Sequence, residues 1–186
     1  MADDVSRFER RVEEFRKRLG EQLIKGVAEA LDAVAIESQS KYWIKPGGVG
    51  KPVHPRFLTV RTGRLIRSLS PQGGAFSARG EREQIREIQV RGGKIVGIFG
   101  TRVPYAAIHE FGGRIQETIT PLQRRFFFGR MYETGDSKYR AMALSQSLNI
   151  NIPARPFLRP AAEASGPGIT KIFRRRIQGV INAVKA

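Results

Sequence analysis

The chain has 186 residues, no cysteine and a formal net charge of +16, from 33 basic and 17 acidic residues. This length suits one domain with or without arms, so we expect one domain over residues 1–186. The lack of cysteine excludes disulfides and thiolate chemistry, and no apolar window reaches the ~18 residues of a membrane span. The acidic start is unlike a secretory signal, so we expect cytoplasmic synthesis. The net charge of +16 predicts an acidic partner, which by charge alone could be nucleic acid, an anionic membrane surface or an acidic protein.

Residues 3–41 form the first predicted element, a long amphipathic helix. At ~1.5 Å per residue it exceeds the width of a small domain. An ordinary core helix and an arm over residues 1–41 that contacts a partner therefore both remain open. Gly20 and Gly26 weaken its middle, where a bend is one option. Apolar residues recur at spacings of three and four and share one face: Val5, Phe8, Val12, Phe15, Leu19, Leu23, Val27, Leu31 and Val34.

A glycine- and proline-rich loop follows at residues 45–52. Gly50-Lys51 resembles the end of a phosphate-binding loop. However, Lys45 stands where the first glycine belongs, and Pro52 replaces the Ser or Thr that binds Mg²⁺. We therefore interpret this segment as a connector.

Residues 62–69 predict a short helical turn with Thr62 as its N-cap. Next, residues 87–91 and 94–99 predict a β-hairpin, because Gly92-Gly93 suits a two-residue turn with positive φ. In that register Val90 faces Ile95 and Ile88 faces Gly97, which gives one core face.

The second half of the chain is predicted to be mainly helical. Residues 104–111 predict a short helix that ends at Gly112-Gly113. Residues 116–149 predict a helical region rich in aromatics and arginine, and residues 150–152 a short strand. Gly166-Pro167-Gly168 is expected to separate residues 156–164 from a final amphipathic helix over 169–184.

Catalytic chemistry has few candidates in this sequence. The two histidines are His54, in a proline-flanked loop, and His109. His109-Glu110 begins like a zinc-protease helix, but Phe111-Gly112-Gly113 follow where the second histidine should stand. We expect a packed, hydrogen-bonded turn here, with no catalytic residue, no metal site and no cofactor, and we expect the protein not to be an enzyme.

Basic residues cluster in the aromatic segment and in the last helix. Cations interleaved with aromatics are typical of grooves that bind single-stranded nucleic acid. A solvated helix face is the alternative, although three adjacent aromatics cannot all face solvent. The candidate partner-contact residues are Arg124, Arg125, Arg130, Lys171, Arg174, Arg175 and Arg176.

Three motifs occur in a fixed order: TGRL at residues 62–65, VPYAAIHEFGG at 103–113 and IPARPFL at 152–158. Together they resemble the phage virion-morphogenesis and tail-completion family of long-tailed bacteriophages, with residues 116–149 as an insertion present in some members. The motif residues are Thr62, Gly63, Arg64, Tyr105, His109, Glu110, Phe111, Gly112, Gly113, Pro153, Arg155, Pro156 and Phe157.

The resemblance implies an α+β fold, a small antiparallel sheet packed by a long N-terminal and a C-terminal helix. It also implies a virion protein of the neck or tail that assembles into a ring, commonly a hexamer. Its partners would be neighbouring neck, connector or tail-tube proteins, with weak contact to packaged DNA. Arg155, fixed between prolines, could face Glu110 or a neighbouring subunit. The alternative function is a non-specific nucleic-acid-binding accessory protein, and tail completion and tail termination both remain open.

Overall fold

A computed structural model describes residues 2–44, 56–60, 62–71 and 82–185. The chain divides into two compact units, one of residues 1–106 with 156–186 and one of residues 107–155. The loop predicted at 45–52 and His54 lie outside the described residues. The elements in chain order are α1 (Ala2–Lys41), β1 (Trp43–Ile44), β2 (Leu58–Thr59), α2 (Arg64–Arg67), β3 (Gln84–Arg91), β4 (Lys94–Thr101), α3 (Ala106–Phe111), β5 (Gly113–Thr118), α4 (Pro121–Thr134), α5 (Ser137–Leu144), β6 (Ser147–Ile152) and α6 (Arg159–Lys185).

The first unit is built on α1 and α6, which pack against each other in antiparallel directions. The long helix predicted at the N-terminus is confirmed, and it continues through both internal glycines. Gly26 serves packing, because a Cβ there would lie 2.9 Å from a ring carbon of Phe173 on α6. Along the predicted apolar stripe, Val5 is exposed whereas Val27 and Val34 are buried.

The C-terminal helix corrects a prediction. We expected Gly166-Pro167-Gly168 to separate two segments, but α6 is continuous from Arg159 to Lys185 with Pro167 inside it. Packing on both sides of the proline explains this, since Ala161 is fully buried before it and Val180 almost fully buried after it. These contacts outweigh the ~3 kcal/mol that an interior proline costs a helix.

Strands β3 and β4 form the predicted hairpin, and its register is confirmed. Val90 pairs with Ile95 and Ile88 with Gly97, and both turn glycines have positive φ, 55° and 75°. Gly97 faces α1, where a Cβ would lie 2.6 Å from Val27 Cγ1. The missing side chain therefore lets the helix approach the sheet closely. A central core lies beside the hairpin, formed by Leu58, Leu65, Leu69, Val103, Ala106 and Phe157.

The second unit is a two-stranded ribbon that carries a helical hairpin. β5 pairs with β6 so that Ile115 faces Ile150, and α4 packs on α5. Our prediction of helix throughout residues 116–149 is thus wrong at both ends, which belong to strands. The apolar residues at 148, 150 and 152 alternate with polar ones, the period of a strand. The strand predicted at 150–152 is confirmed, as is the α+β class of the whole chain.

Candidate functional site

The TGRL motif starts the short helix α2. Gly63 is its N-cap and has a φ of 72°, a left-handed conformation that glycine adopts without strain. The prediction that Thr62 is the N-cap is therefore wrong by one residue. The Thr62 hydroxyl nevertheless accepts a 3.4 Å hydrogen bond from the backbone N–H of Arg64.

Arg64 makes the central polar contact of this motif, an ion pair with Glu83. Its Nε donates to Glu83 Oε1 over 2.8 Å, and its Nη2 contacts the same oxygen. The Glu83 side chain is 3% exposed and the Arg64 side chain 39% exposed, so solvent screens this pair less than a pair that is exposed on both sides. The carboxylate raises the pKa of Arg64, and the pair fastens α2 to the residues that lead into β3. No sequence pattern indicated Glu83 as the partner of Arg64, because the two residues are nineteen positions apart.

Apolar residues from all three motifs meet in the core of the first unit. Leu65 belongs to the first motif, Val103 and Ala106 to the second and Phe157 to the third. The Phe157 ring is fully buried, and its centroid lies 5.3 Å from that of Trp43. Tyr105, by contrast, is exposed at 36%. The three motifs, although far apart in the sequence, therefore contribute to one shared core.

In the second unit, residues of the second and third motifs form a close backbone contact. Gly112 has a φ of 72°, and a Cβ on it would lie 2.8 Å from the backbone nitrogen of Ala154. The Arg155 N–H donates to the His109 carbonyl over 2.7 Å. This contact closes the ribbon at the pair of Gly113 and Ile152. The expected role of the glycine pair as a helix stop is confirmed at Gly112, whose N–H donates to the Ile108 carbonyl.

The polar side chains around this contact resemble a packed turn more than a reactive site. Burial, and then the charge of Arg155, lower the pKa of His109, so its neutral form is favoured. Glu110 is buried and Phe111 is 75% exposed. Arg155 Nε is buried without a hydrogen-bond partner among the described residues, and its pairing with Glu110 or with a neighbouring subunit stays a prediction. Pro153 is exposed and Pro156 half-buried.

Metal ligands do not converge anywhere in the described part of the chain, where no group of three or more His, Asp or Glu side chains could hold an ion. The same residues contain no helix with both the length and the apolar composition that a bilayer crossing requires.

Four of the seven candidate basic residues have partners within the chain. Arg175 and Arg176 both bind Glu29 on α1, over 2.8 Å and 3.0 Å. Arg130 binds Glu133 over 2.8 Å, and Arg124 donates to the Ser145 carbonyl over 3.4 Å. These contacts attach α6 to α1 and α4 to the end of α5, which the sequence patterns did not indicate.

The other three candidates, Arg125, Lys171 and Arg174, are exposed and have no hydrogen bond or ion pair to any described residue. All three lie in the part of the chain that carries the net positive charge, which is distributed unevenly along the sequence. Residues 51–186 contain 24 of the 33 basic and 8 of the 17 acidic residues, and therefore the entire net charge of +16. The first fifty residues are neutral. An acidic partner would therefore be attracted mainly to the region after residue 50.

The chain was compared with known protein families, curated proteins and solved structures. The model of the phage virion morphogenesis family matches residues 49–184, a range that includes all three motifs and every candidate basic residue. No curated protein and no solved structure matches the chain.

Proposed function

Because the chain belongs to the phage virion morphogenesis family, we propose that it is a structural protein of the phage neck or tail. In this proposal it forms a ring that completes the tail and joins it to the head. The observation that carries the proposal is the family match over residues 49–184. It is supported by the geometry of the motif residues, which contribute to a core, to an ion pair with the buried carboxylate of Glu83 and to a backbone contact.

A structural role agrees with how the conspicuous polar groups are used. Arg64 is committed to Glu83, and the pKa of His109 is lowered mainly by burial. A general base needs a proton-accepting group within reach of a substrate in a pocket. Two grooves in the described part of the chain instead lie between α1 and α6, and one of them is lined by residues such as Arg18, Gln22 and Gly179. We therefore propose that assembly, and no chemical reaction, is the protein's task.

Deletion of the gene tests this function directly. Without a protein that joins two separately built structures, filled heads and complete tails should accumulate unattached. Electron microscopy of lysates from the deletion strain measures the numbers of free heads, free tails and joined particles. Expression of the intact protein from a plasmid should restore joined particles. Normal infectious particles from the deletion strain would rule out an essential joining role.

A nucleic-acid-binding accessory protein is the second candidate, and the net charge of +16 is the observation that favours it. A salt titration separates the two functions. For a DNA binder the logarithm of affinity should fall with the logarithm of salt concentration, by roughly 0.9 per phosphate contacted. A neck protein should bind DNA weakly and without sequence preference.

A further inference from the structure

Helix α6 contains three helix-breaking residues in a row, Gly166-Pro167-Gly168. A Cβ on either of these glycines would meet no described atom within 4 Å, and neither glycine has a positive φ. Gly26 of α1 differs, because a Cβ there would lie 2.9 Å from the Phe173 ring. Glycine and proline are the residues least favourable inside a helix, and proline has no amide hydrogen for the helix hydrogen bonds. This turn of α6 is therefore helical only because of the packing on both sides of it.

The packing of α6 differs before and after this turn. Before it, Ala161 is fully buried and Ser165 is 8% exposed. We call residues 169–185, which follow it, the α6 strap. Of the strap side chains that the structure describes, Val180 alone is buried. The strap therefore buries less of its surface than the seven residues that begin the helix, and less burial means weaker attachment.

The part of α1 that contacts the α6 strap is also loosely packed. This seam extends from Arg11, which donates to the Val184 carbonyl, to Glu29. Two grooves of about 490 Å³ and 190 Å³ lie along it, whereas closely packed helices leave few voids larger than a water molecule. The buried residues of α1, among those described, lie between Gly26 and Ser38. Most of the seam therefore lies outside the buried part of α1.

The ion pairs that hold the α6 strap to α1 are accessible to solvent. Arg175 and Arg176 share Glu29, and the three side chains are 68%, 22% and 38% exposed. Exposed pairs contribute modestly to stability, and salt weakens them further. The strap is therefore held chiefly by Val180, by the contact of Phe173 with the space at position 26 of α1, and by these pairs.

We propose that the α6 strap detaches from α1 by breaking the helix at Gly166-Pro167-Gly168, while residues 159–165 stay packed. Without the packing beyond the break, nothing offsets the cost of three unfavourable residues, so the helix opens there first. As it detaches, the strap carries the exposed cations Lys171 and Arg174 away from α1, and they can then reach an acidic surface of a neighbouring virion protein. This use of the strap rests on the proposed function.

Thiol labelling tests the release, because the natural chain has no cysteine and one engineered thiol reports one position. Val180→Cys places the thiol on the buried side of the strap, and Ser38→Cys places it in the fully buried part of α1. Both changes nearly preserve side-chain volume. In the purified full chain we expect Val180→Cys to react roughly tenfold faster than Ser38→Cys or more, because local opening is more frequent than unfolding of the whole unit.

Removal of the glycines should slow the release. In the Val180→Cys protein, Gly166→Ala together with Gly168→Ala should slow labelling roughly tenfold, since alanine is favoured over glycine in a helix. The matched control is Gly20→Ala in α1, where a Cβ also meets no described atom within 4 Å. It should leave the labelling rate unchanged, because α1 stays helical whether or not the strap is attached.

Three outcomes of labelling would overturn the proposal. Equal rates for Val180→Cys and Ser38→Cys would mean that the strap opens only when the whole unit unfolds. A rate that Gly166→Ala with Gly168→Ala does not change would mean that α6 frays from its C-terminal end. Equal slowing by Gly20→Ala would indicate a general gain in stability, with no hinge at residues 166–168.

A disulfide lock tests the use of the strap in joining. Gly26→Cys and Phe173→Cys together can form a disulfide across the seam, because a side chain at position 26 would lie against residue 173. The locked full chain is added to lysate of the gene-deletion strain. We expect few joined particles until a reducing agent opens the lock, and the same sample after reduction is the control for folding.

Failure of this use is distinguishable from failure of the proposed function. Joining by the locked protein at the rate of the reduced sample would show that release is not needed. If the natural protein itself fails to join heads and tails in this lysate, the joining function is wrong. Thiol labelling of the purified protein still decides between a hinge and no hinge in that case.

Discussion

At Gly112 two separate demands exclude a side chain. Its φ of 72° is in the left-handed region, and the space of a Cβ is occupied by the backbone of Ala154. Gly135, which ends α4, has a similar φ of 68° but open space around a Cβ. A comparison of Gly112 with Gly135 therefore separates the cost of the left-handed backbone conformation from the cost of a steric clash.

We predict that Gly112→Ala destabilises the protein more than Gly135→Ala. Alanine at Gly135 should cost about 1–2 kcal/mol, since the left-handed conformation is its one penalty. At Gly112 the clash with backbone adds about 1–3 kcal/mol, because neither strand of the ribbon can move without losing its pairing. Denaturant unfolding of the two variants measures the difference. Equal losses would mean that the contact with Ala154 relaxes freely.

The role of a residue was predictable where neighbouring residues in the sequence determine it, and was not predictable where distant residues do. Gly112 and the turn pair Gly92-Gly93 were identified from the sequence, because a glycine after a helix or between two strands has a local meaning. The packing of Gly97 on α1 and the pairing of Glu83 with Arg64 were not predicted, since these contacts are set by the tertiary fold. The cap at Gly63 was assigned one residue early because threonine is the commoner N-cap.

At the scale of elements, periodicity was reliable, whereas glycines and prolines predicted some boundaries correctly and one wrongly. The three-and-four spacing of α1 and the glycine turn of β3–β4 predicted those elements well. By contrast, the glycines around Pro167 suggested a break that α6 does not have, because packing before and after it holds the helix together. Strand β5 and the first half of β6 were not predicted, because the sequence between them has a strongly helical composition.

The contact between α1 and α6 includes one acidic residue with two basic partners. Glu29 accepts from Arg175 and Arg176, and Arg176 also donates to Gln22 over 2.8 Å. The hydrogen bond from Arg176, with the charges of both arginines, lowers the pKa of Glu29. The folded state therefore binds fewer protons at this carboxyl than the unfolded chain does. The stability it contributes is present above the ordinary pKa of 4.5 and is lost as pH falls through the lowered value.

We predict that Glu29→Gln lowers the midpoint of urea unfolding at pH 7, because it leaves both arginines without their anion. The difference from the natural protein should shrink below pH 4.5 and in high salt. Glu14→Gln is the control, since Glu14 pairs with Arg18 inside α1 alone and exposed pairs within a helix contribute little. A difference that stays constant with pH would contradict the assigned role of Glu29.

At the scale of the whole molecule, the charge is the dominant feature. A ring between head and tail would meet two acidic candidates, the DNA in its channel and the proteins on either side. DNA must slide during ejection, and each tight phosphate contact would oppose that movement. Contacts between proteins carry no such penalty, and complementary charges also fix the docking orientation. We therefore expect the exposed cations of α6 to bind protein carboxylates.

The structure selects the residues that test this expectation. Arg175 and Arg176 already bind Glu29, so reversing them would disturb the fold. Lys171 and Arg174 are exposed, without a described partner. We predict that the double variant Lys171→Glu, Arg174→Glu folds normally and blocks head–tail joining, counted by electron microscopy. In the particles that do join, DNA ejection should be unchanged.

The control for this experiment is Lys17→Glu with Lys25→Glu, which reverses two exposed lysines of α1. It makes the same change in net charge in the part of the chain that is neutral overall. If both double variants block joining, the total charge matters and no particular surface is involved. If the α6 variant joins normally and alters ejection alone, the basic side of α6 faces the DNA channel, because only a contact that the moving DNA must break can change the rate of its release.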